Sequence, residues 1–130
     1  MNATTSRPPA GTTPEARTAP AGSRPVDGPV TLMNSFVVPP GRDGAFKALW
    51  TQTSRYFVDQ PGFVGLRLHR AVGEDAAYRW VNVASWEHES DYRAAHSGEE
   101  FLRLVTLPGW EEFPSSPTLY EVDTVIDAAG

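Results

Sequence analysis

Apolar and polar residues alternate where the folded part of the chain begins. Val30, Leu32, Asn34, Phe36 and Val38 recur at every second position, which places them on one strand face ended by Pro39-Pro40-Gly41. The period then lengthens. Phe46, Leu49, Trp50, Thr53 and Phe57 follow helical spacing, predicting a helix over 43–59 that Gln60-Pro61-Gly62 stops. Phe63 to Val72 reads as a second strand, Gly73-Glu74-Asp75 as a turn, and Ala77 to Ser85 as a third strand completing a hairpin. Glu87 to His96 and Glu99 to Leu107 read as short helices before Pro108-Gly109. Pro114 and Pro117 frame a loop, and Thr118 to Ile126 is the expected last strand.

The order strand, helix, strand, strand, helix, strand is the split βαβ pattern of an α+β, ferredoxin-like domain. Both crossovers lay their helices on one face of an antiparallel sheet. The third strand is nevertheless apolar on both faces, with Tyr78, Trp80 and Trp86 on one and Val81 and Val83 on the other. A sheet covered on one side and apolar on the other predicts a second subunit, hence a homodimer packed sheet on sheet, a dimeric α+β barrel.

Composition narrows the remaining choices. Residues 1–29 carry six of the twelve prolines, no aromatic residue and a single valine, so they predict a disordered tail, with one domain over 30–127. A net charge of −5 without a basic cluster argues against nucleic acid and anionic membrane as partners. The absence of cysteine removes disulfides and thiolate chemistry. No apolar run reaches the length of a membrane span, and a cytoplasmic location is expected.

The candidate chemistry sits around Asn82. Period 2 aligns Tyr78, Trp80, Asn82, Ala84 and Trp86 on one face, and Tyr92 follows on the helix that must fold back over it. An amide on an aromatic face costs on the order of 1–3 kcal/mol unless paired. Either the fold pairs it internally or the face holds a flat aromatic ligand with a polar oxygen. Asn34, on the first strand's apolar face, would join Asn82 in one cavity if the two strands are neighbours; an intrasheet hydrogen bond is the alternative. Trp86 reads as either a pocket wall or core packing. His88 and His96 are eight residues apart, about two turns plus 80°, so they do not share a helix face as a metal pair. The acidic stretch through Glu87, Glu89, Asp91, Glu99 and Glu100 reads as a solvated face. No metal site, phosphate loop, flavin signature or Ser-His-Asp grouping is evident.

The run Val81-Asn82-Val83-Ala84-Ser85-Trp86-Glu87-His88-Glu89-Ser90-Asp91-Tyr92-Arg93 resembles the antibiotic biosynthesis monooxygenases, above all the quinone-forming members of aromatic polyketide pathways. Their pattern is Asn, Trp four residues on and Tyr six further, in a Trp-Glu-x-Glu-x-x-Tyr-Arg setting; Asn82, Trp86 and Tyr92 match it. Val30 to Phe36, Gln60-Pro61-Gly62-Phe63 and Leu107-Pro108-Gly109 are further landmarks, so the likeness covers about residues 30–126. An arginine that some members place after the tyrosine has Arg103 as its nearest counterpart.

The resemblance implies a cofactor-free enzyme that oxidises a phenolic, anthrone-type polyketide to a quinone with O₂. In that reading Trp86 and Trp80 form a stacking wall, Asn82 donates to the developing oxyanion and Tyr92 binds a carbonyl or passes a proton. Asn34, with Phe36 beside it on the same strand face and Arg103, completes the substrate surface. The sequence shows no obvious base. A non-oxidative polyketide cyclase or isomerase, a haem-degrading relative with Asn34 and His96 at the iron, and a ligand-binding module remain as alternatives.

Overall fold

The computed structural model describes residues 24–130. Strands β1 (Val30–Phe36), β2 (Phe63–Arg70), β3 (Trp80–Trp86) and β4 (Ser115–Tyr120) form one sheet in the order β2-β3-β1-β4. Every adjacent pair is antiparallel. Helices α1 (Asp43–Ser54), α2 (Glu89–Ala95) and α3 (Glu99–Val105) cover one face, so the architecture is the ferredoxin-like one expected from the pattern.

Burial follows the period of each strand. In β3, Trp80, Asn82, Ala84 and Trp86 are buried while Val81, Val83 and Ser85 are half-buried on the opposite face. Two apolar clusters hold the layers together, one at each end of the central strands. Val30, Leu32, Ala84 and Trp86 pack against Tyr92 and Ala95 of α2. Phe36, Val38 and Trp80 pack against Phe46 of α1 and against Trp110 and Phe113. Between the clusters, Asn34 of β1 stands directly opposite Asn82 of β3.

The helix expected over 43–59 starts and ends at those residues, but it tightens from α to 3₁₀ geometry at Arg55–Asp59. Gln60-Pro61-Gly62 then turns the chain into β2. Gly62 holds φ 78°, and a Cβ there would collide with the Asp91 side chain. Its carbonyl accepts the Glu87 amide at 2.8 Å, so this turn docks on the start of α2. A bulge at Val64 shifts the β2 register, leaving that valine 63% exposed.

Most expected boundaries shift by one or two residues, and two strands differ by more. The third strand begins at Trp80 rather than Ala77, so Tyr78 lies outside the strand and is exposed. The last strand is Ser115–Tyr120, not Thr118–Ile126. Pro117, which reads as a loop residue, sits inside it opposite Asn34. An edge strand tolerates a missing N–H, because its outer side has no ladder to complete. Beyond Tyr120 the chain has no regular structure, and Val122, Val125 and Ile126 are exposed.

Residues 1–23 of the expected tail lie outside the described residues. Residues 24–29 lie against the domain: Val26 packs on the Trp86 cluster, and Arg24 pairs with Glu121. Among the described residues, no helix is long and apolar enough to cross a membrane.

Candidate active site

The space between the two clusters is a cavity under the helices. Its floor is the sheet, through Leu32, Asn34 and Phe36 of β1, Asn82 of β3 and Pro117 of β4. Trp50, Thr53 and Ser54 of α1 roof it. Phe57 follows α1, His96 ends α2, and Phe101 and Val105 of α3 close the side. Trp110 sits at the far end and donates its indole N–H to Thr53 Oγ1 at 3.2 Å.

The cavity is about 60 Å³, room for only a few water-sized groups. That is below the roughly 300–1,000 Å³ usual for small-molecule sites, and the space continues into an open mouth. The lining is aromatic and aliphatic, interrupted by few polar groups.

Asn34 and Asn82 are the most telling of these. They are 8% and 9% exposed, and the Oδ1 atom of each has no hydrogen-bond partner in the protein. An unmet buried acceptor costs on the order of 1–3 kcal/mol, so two side by side are expensive unless a ligand supplies donors. Each amide also carries an N–H₂ group, so the pair can accept from a hydroxyl and donate to an adjacent oxygen. Trp50 adds an indole N–H without a protein partner.

Trp86 and Tyr92, both 1% exposed, lie behind the cavity rather than on its wall. Trp86 stands edge-on to Phe57, Phe63 and Tyr92 with ring centroids 5.2–6.2 Å apart. Both rings also abut His96, Trp86 at 5.7 Å and Tyr92 at 4.1 Å. They therefore reach the cavity through His96 and Phe57.

Trp80 belongs to the opposite cluster. Its indole N–H donates to Asp43 Oδ1 at 2.9 Å, and Phe46 packs on its ring at 5.9 Å. Trp86 lies six positions further along the strand, about 20 Å of extended chain, so the two indoles do not make one stacking wall. Phe36 lines the cavity between Trp110 and Phe46. Arg103 points away from the cavity into solvent and pairs with Glu100 at 2.7 Å.

The sequence suggests His96 only as a metal or haem ligand, yet it is 6% exposed and lines the cavity. Its Nδ1 lies 2.7 Å from the Tyr92 carbonyl oxygen. A carbonyl only accepts, so Nδ1 carries the proton and, in the neutral ring, Nε2 carries the lone pair. Tyr56 steadies the same turn by donating its hydroxyl to the Ala95 carbonyl at 2.8 Å. Burial, with the nearby Glu100 charge, raises the Tyr56 pKa and keeps that hydroxyl protonated. Spacing alone could not reveal His96, because helical period does not say which face a two-turn element presents to a neighbouring layer.

Glu87, His88 and Asp91 bring possible ligand atoms within 4.8 Å of one another at the mouth of α2. Glu87 and His88 are exposed and Asp91 is half-buried, and His88 already pairs with Asp91 at 3.0 Å. That group lies away from the cavity and needs no ion to explain it.

The antibiotic biosynthesis monooxygenase family model matches residues 29–107, and the chain belongs to that family. Deoxynogalonate monooxygenase of Streptomyces nogalater is 36% identical over 77 residues, which are 59% of this chain and 63% of that protein. The matched part is thus under two thirds of that relative's length. The crystal structure of SnoaB, a cofactor-independent oxygenase from Streptomyces nogalater, aligns with a TM-score of 0.64 at 27% identity, covering 78% of this chain and 99% of that one. A haem-degrading protein from Mycobacterium tuberculosis aligns with a TM-score of 0.57 at 25% identity, covering 81% and 100%.

Proposed function

We propose that this protein is an O₂-dependent monooxygenase that needs no cofactor and converts a phenolic, anthrone-type polyketide to a quinone in antibiotic biosynthesis. The observation that carries the reading is the Asn34–Asn82 pair, two unmet amide oxygens in a mostly apolar cavity. A hydroxylated polycyclic ring offers what that surface lacks: a flat apolar face for Phe36, Phe57 and Phe101, and oxygens that hydrogen-bond both amides. The relatives with oxygenase and monooxygenase activity support the same reading.

The chemistry balances without a further redox partner. The anthrone loses a proton to give a delocalised anion, which donates an electron to O₂. The methylene carbon loses two hydrogens and gains one oxygen atom, and the second oxygen leaves with those hydrogens as water. Asn82, and Asn34 beside it, would donate to the oxygen on which negative charge grows, and one such donor contributes on the order of 3 kcal/mol. The apolar walls would keep bulk water from the reactive intermediates.

The half-bare sheet supports a homodimer. Met33, Val81, Val83 and Tyr120 lie on the face away from the helices, where a second copy would cover them. A cytoplasmic site of action fits the substrate class and O₂.

Incubation under ¹⁸O₂ tests the reaction. Label in the new quinone carbonyl is expected; product formation without label would point to a cyclase or isomerase. Haem degradation is favoured by one feature, the Nδ1-anchored His96 in the cavity. Yet among the described residues no arginine or lysine lines the cavity to meet haem propionates, so these residues do not fit that group. Titration with haem should leave its Soret band unshifted.

A further inference from the structure

The structure assigns His96 as the base that takes the substrate proton, and this inference rests on the anthrone-oxidation reading of the same cavity. Of the residues lining the cavity, His96 alone has a side chain that can gain or lose a proton near neutrality. Its tautomer is held by the Tyr92 carbonyl, which directs the basic nitrogen to Nε2. Its ring is held in place by Phe57, Tyr92 and Phe101 at centroid distances of 5.0, 4.1 and 4.7 Å. A fixed tautomer, a locked ring and a place on the cavity wall that Asn34 and Asn82 also line are what general-base catalysis needs.

The step is a proton transfer. The proton leaves the methylene carbon of the keto form or the hydroxyl of the enol form, and its electron pair stays on the ring as one shared anion. A new Nε2–H bond forms, and no electron moves to another molecule in this step. The imidazolium then stands beside the anion and can return the proton as water departs. Trp86 and Tyr92 become positioning residues, acting on the substrate by fixing the histidine.

Other charged groups nearby do not compete for the role. Tyr56 spends its hydroxyl on the Ala95 carbonyl. On α2, Arg93 pairs with Glu89, and Asp91 pairs with His88 beside its start. On α3, Glu100 and Arg103 pair in solvent, and Arg55 and Asp59 of the 3₁₀ turn are exposed.

The test has a kinetic arm and a spectroscopic arm. In His96→Gln, kcat/KM for an anthrone should fall about a hundredfold or more, the acid limb of the wild-type pH profile should vanish, and imidazole should partly rescue His96→Gly. A pH profile unchanged by His96→Gln would overturn the assignment while leaving the oxygenase reading intact. The second arm needs no variant and no turnover. The chain has three histidines, so ¹⁵N-histidine spectra of the intact protein can follow His96 as 1,8-dihydroxyanthraquinone binds. His96 should become doubly protonated as the bound dye turns to its red anion, at a pH below that for the dye in solution. A bound dye that ionises while His96 stays neutral would also overturn the assignment. No dye binding at all, or no anthrone oxidation by the wild type, would bring down the parent reading.

Discussion

Asn34 and Asn82 face each other across β1 and β3, each with a buried side-chain oxygen that the protein leaves unpaired. Leu32 opposite Ala84 and Phe36 opposite Trp80 continue the same face on either side. A polar couple flanked by apolar couples costs stability and adds nothing to packing, which is the signature of a binding site rather than of a core.

Replacing either amide should therefore cost rate more than stability. Asn82→Ala is expected to lower kcat about 10²-fold, with thermal unfolding within a few degrees of wild type. Because the two amides address one substrate, the double variant Asn34→Ala/Asn82→Ala should lose less than the product of the single losses. Steady-state rates across the four proteins would check this; strictly multiplicative losses would argue against a shared substrate oxygen.

Trp86 should behave in the opposite manner. It is fully buried between Phe57, Phe63, Tyr92 and His96, so Trp86→Ala is expected to cost about 3–5 kcal/mol in urea unfolding. Trp86→Phe keeps most of the contact and should fold, yet turn over more slowly as His96 loses its brace.

Gly62 offers a backbone test. Its φ of 78° and the proximity of the Asp91 side chain mean that Gly62→Ala should destabilise by more than 1 kcal/mol, an order-of-magnitude expectation of about 1–3 kcal/mol. Gly62→Ala/Asp91→Ala should recover only part of this loss, since the space is relieved but the left-handed conformation is not. Full recovery would show that crowding alone mattered.

Asp43 sets an acid limb. Hydrogen bonds from the Trp80 indole and from Arg79 hold its carboxyl below the usual carboxylate range. A folded pKa below the unfolded one means that its stabilisation is complete above about pH 4 and fades as pH falls through the folded value. Melting temperature measured from pH 6 to pH 2 should fall less steeply in Asp43→Asn than in wild type. Arg42–Glu112 and Glu100–Arg103 are exposed pairs, and their loss should be nearly silent.

The uncovered sheet face gives a prediction about assembly. Light scattering should find a dimer at micromolar concentration, and Val83→Glu at the centre of that face should shift it toward monomer. A wild-type monomer under those conditions would rule out the sheet-on-sheet pair.

Much of the fold was legible because each segment carries one clear period. The β1 and β3 alternations place Asn34 and Asn82 on the helix side, and the strand order makes them neighbours. Parity has limits, however. It puts Trp80 and Trp86 on one face without saying that they sit at opposite ends of it, in separate clusters. Pro117 obscured β4, because a proline reads as a strand breaker unless the strand is known to be an edge. His96 escaped for a different reason. Its role depends on how α2, α3 and the 3₁₀ turn after α1 converge, and that is tertiary information carried by no local spacing.

The most direct measurement is O₂ uptake by the purified protein, stripped of metal and flavin, with a 1,8-dihydroxyanthrone in an oxygen electrode. One O₂ consumed per quinone formed, well above the spontaneous rate and strongly reduced in Asn82→Ala, is the expected result. Uptake no faster than the uncatalysed oxidation, or restored only by added flavin or metal, would contradict cofactor-free oxidation in this cavity.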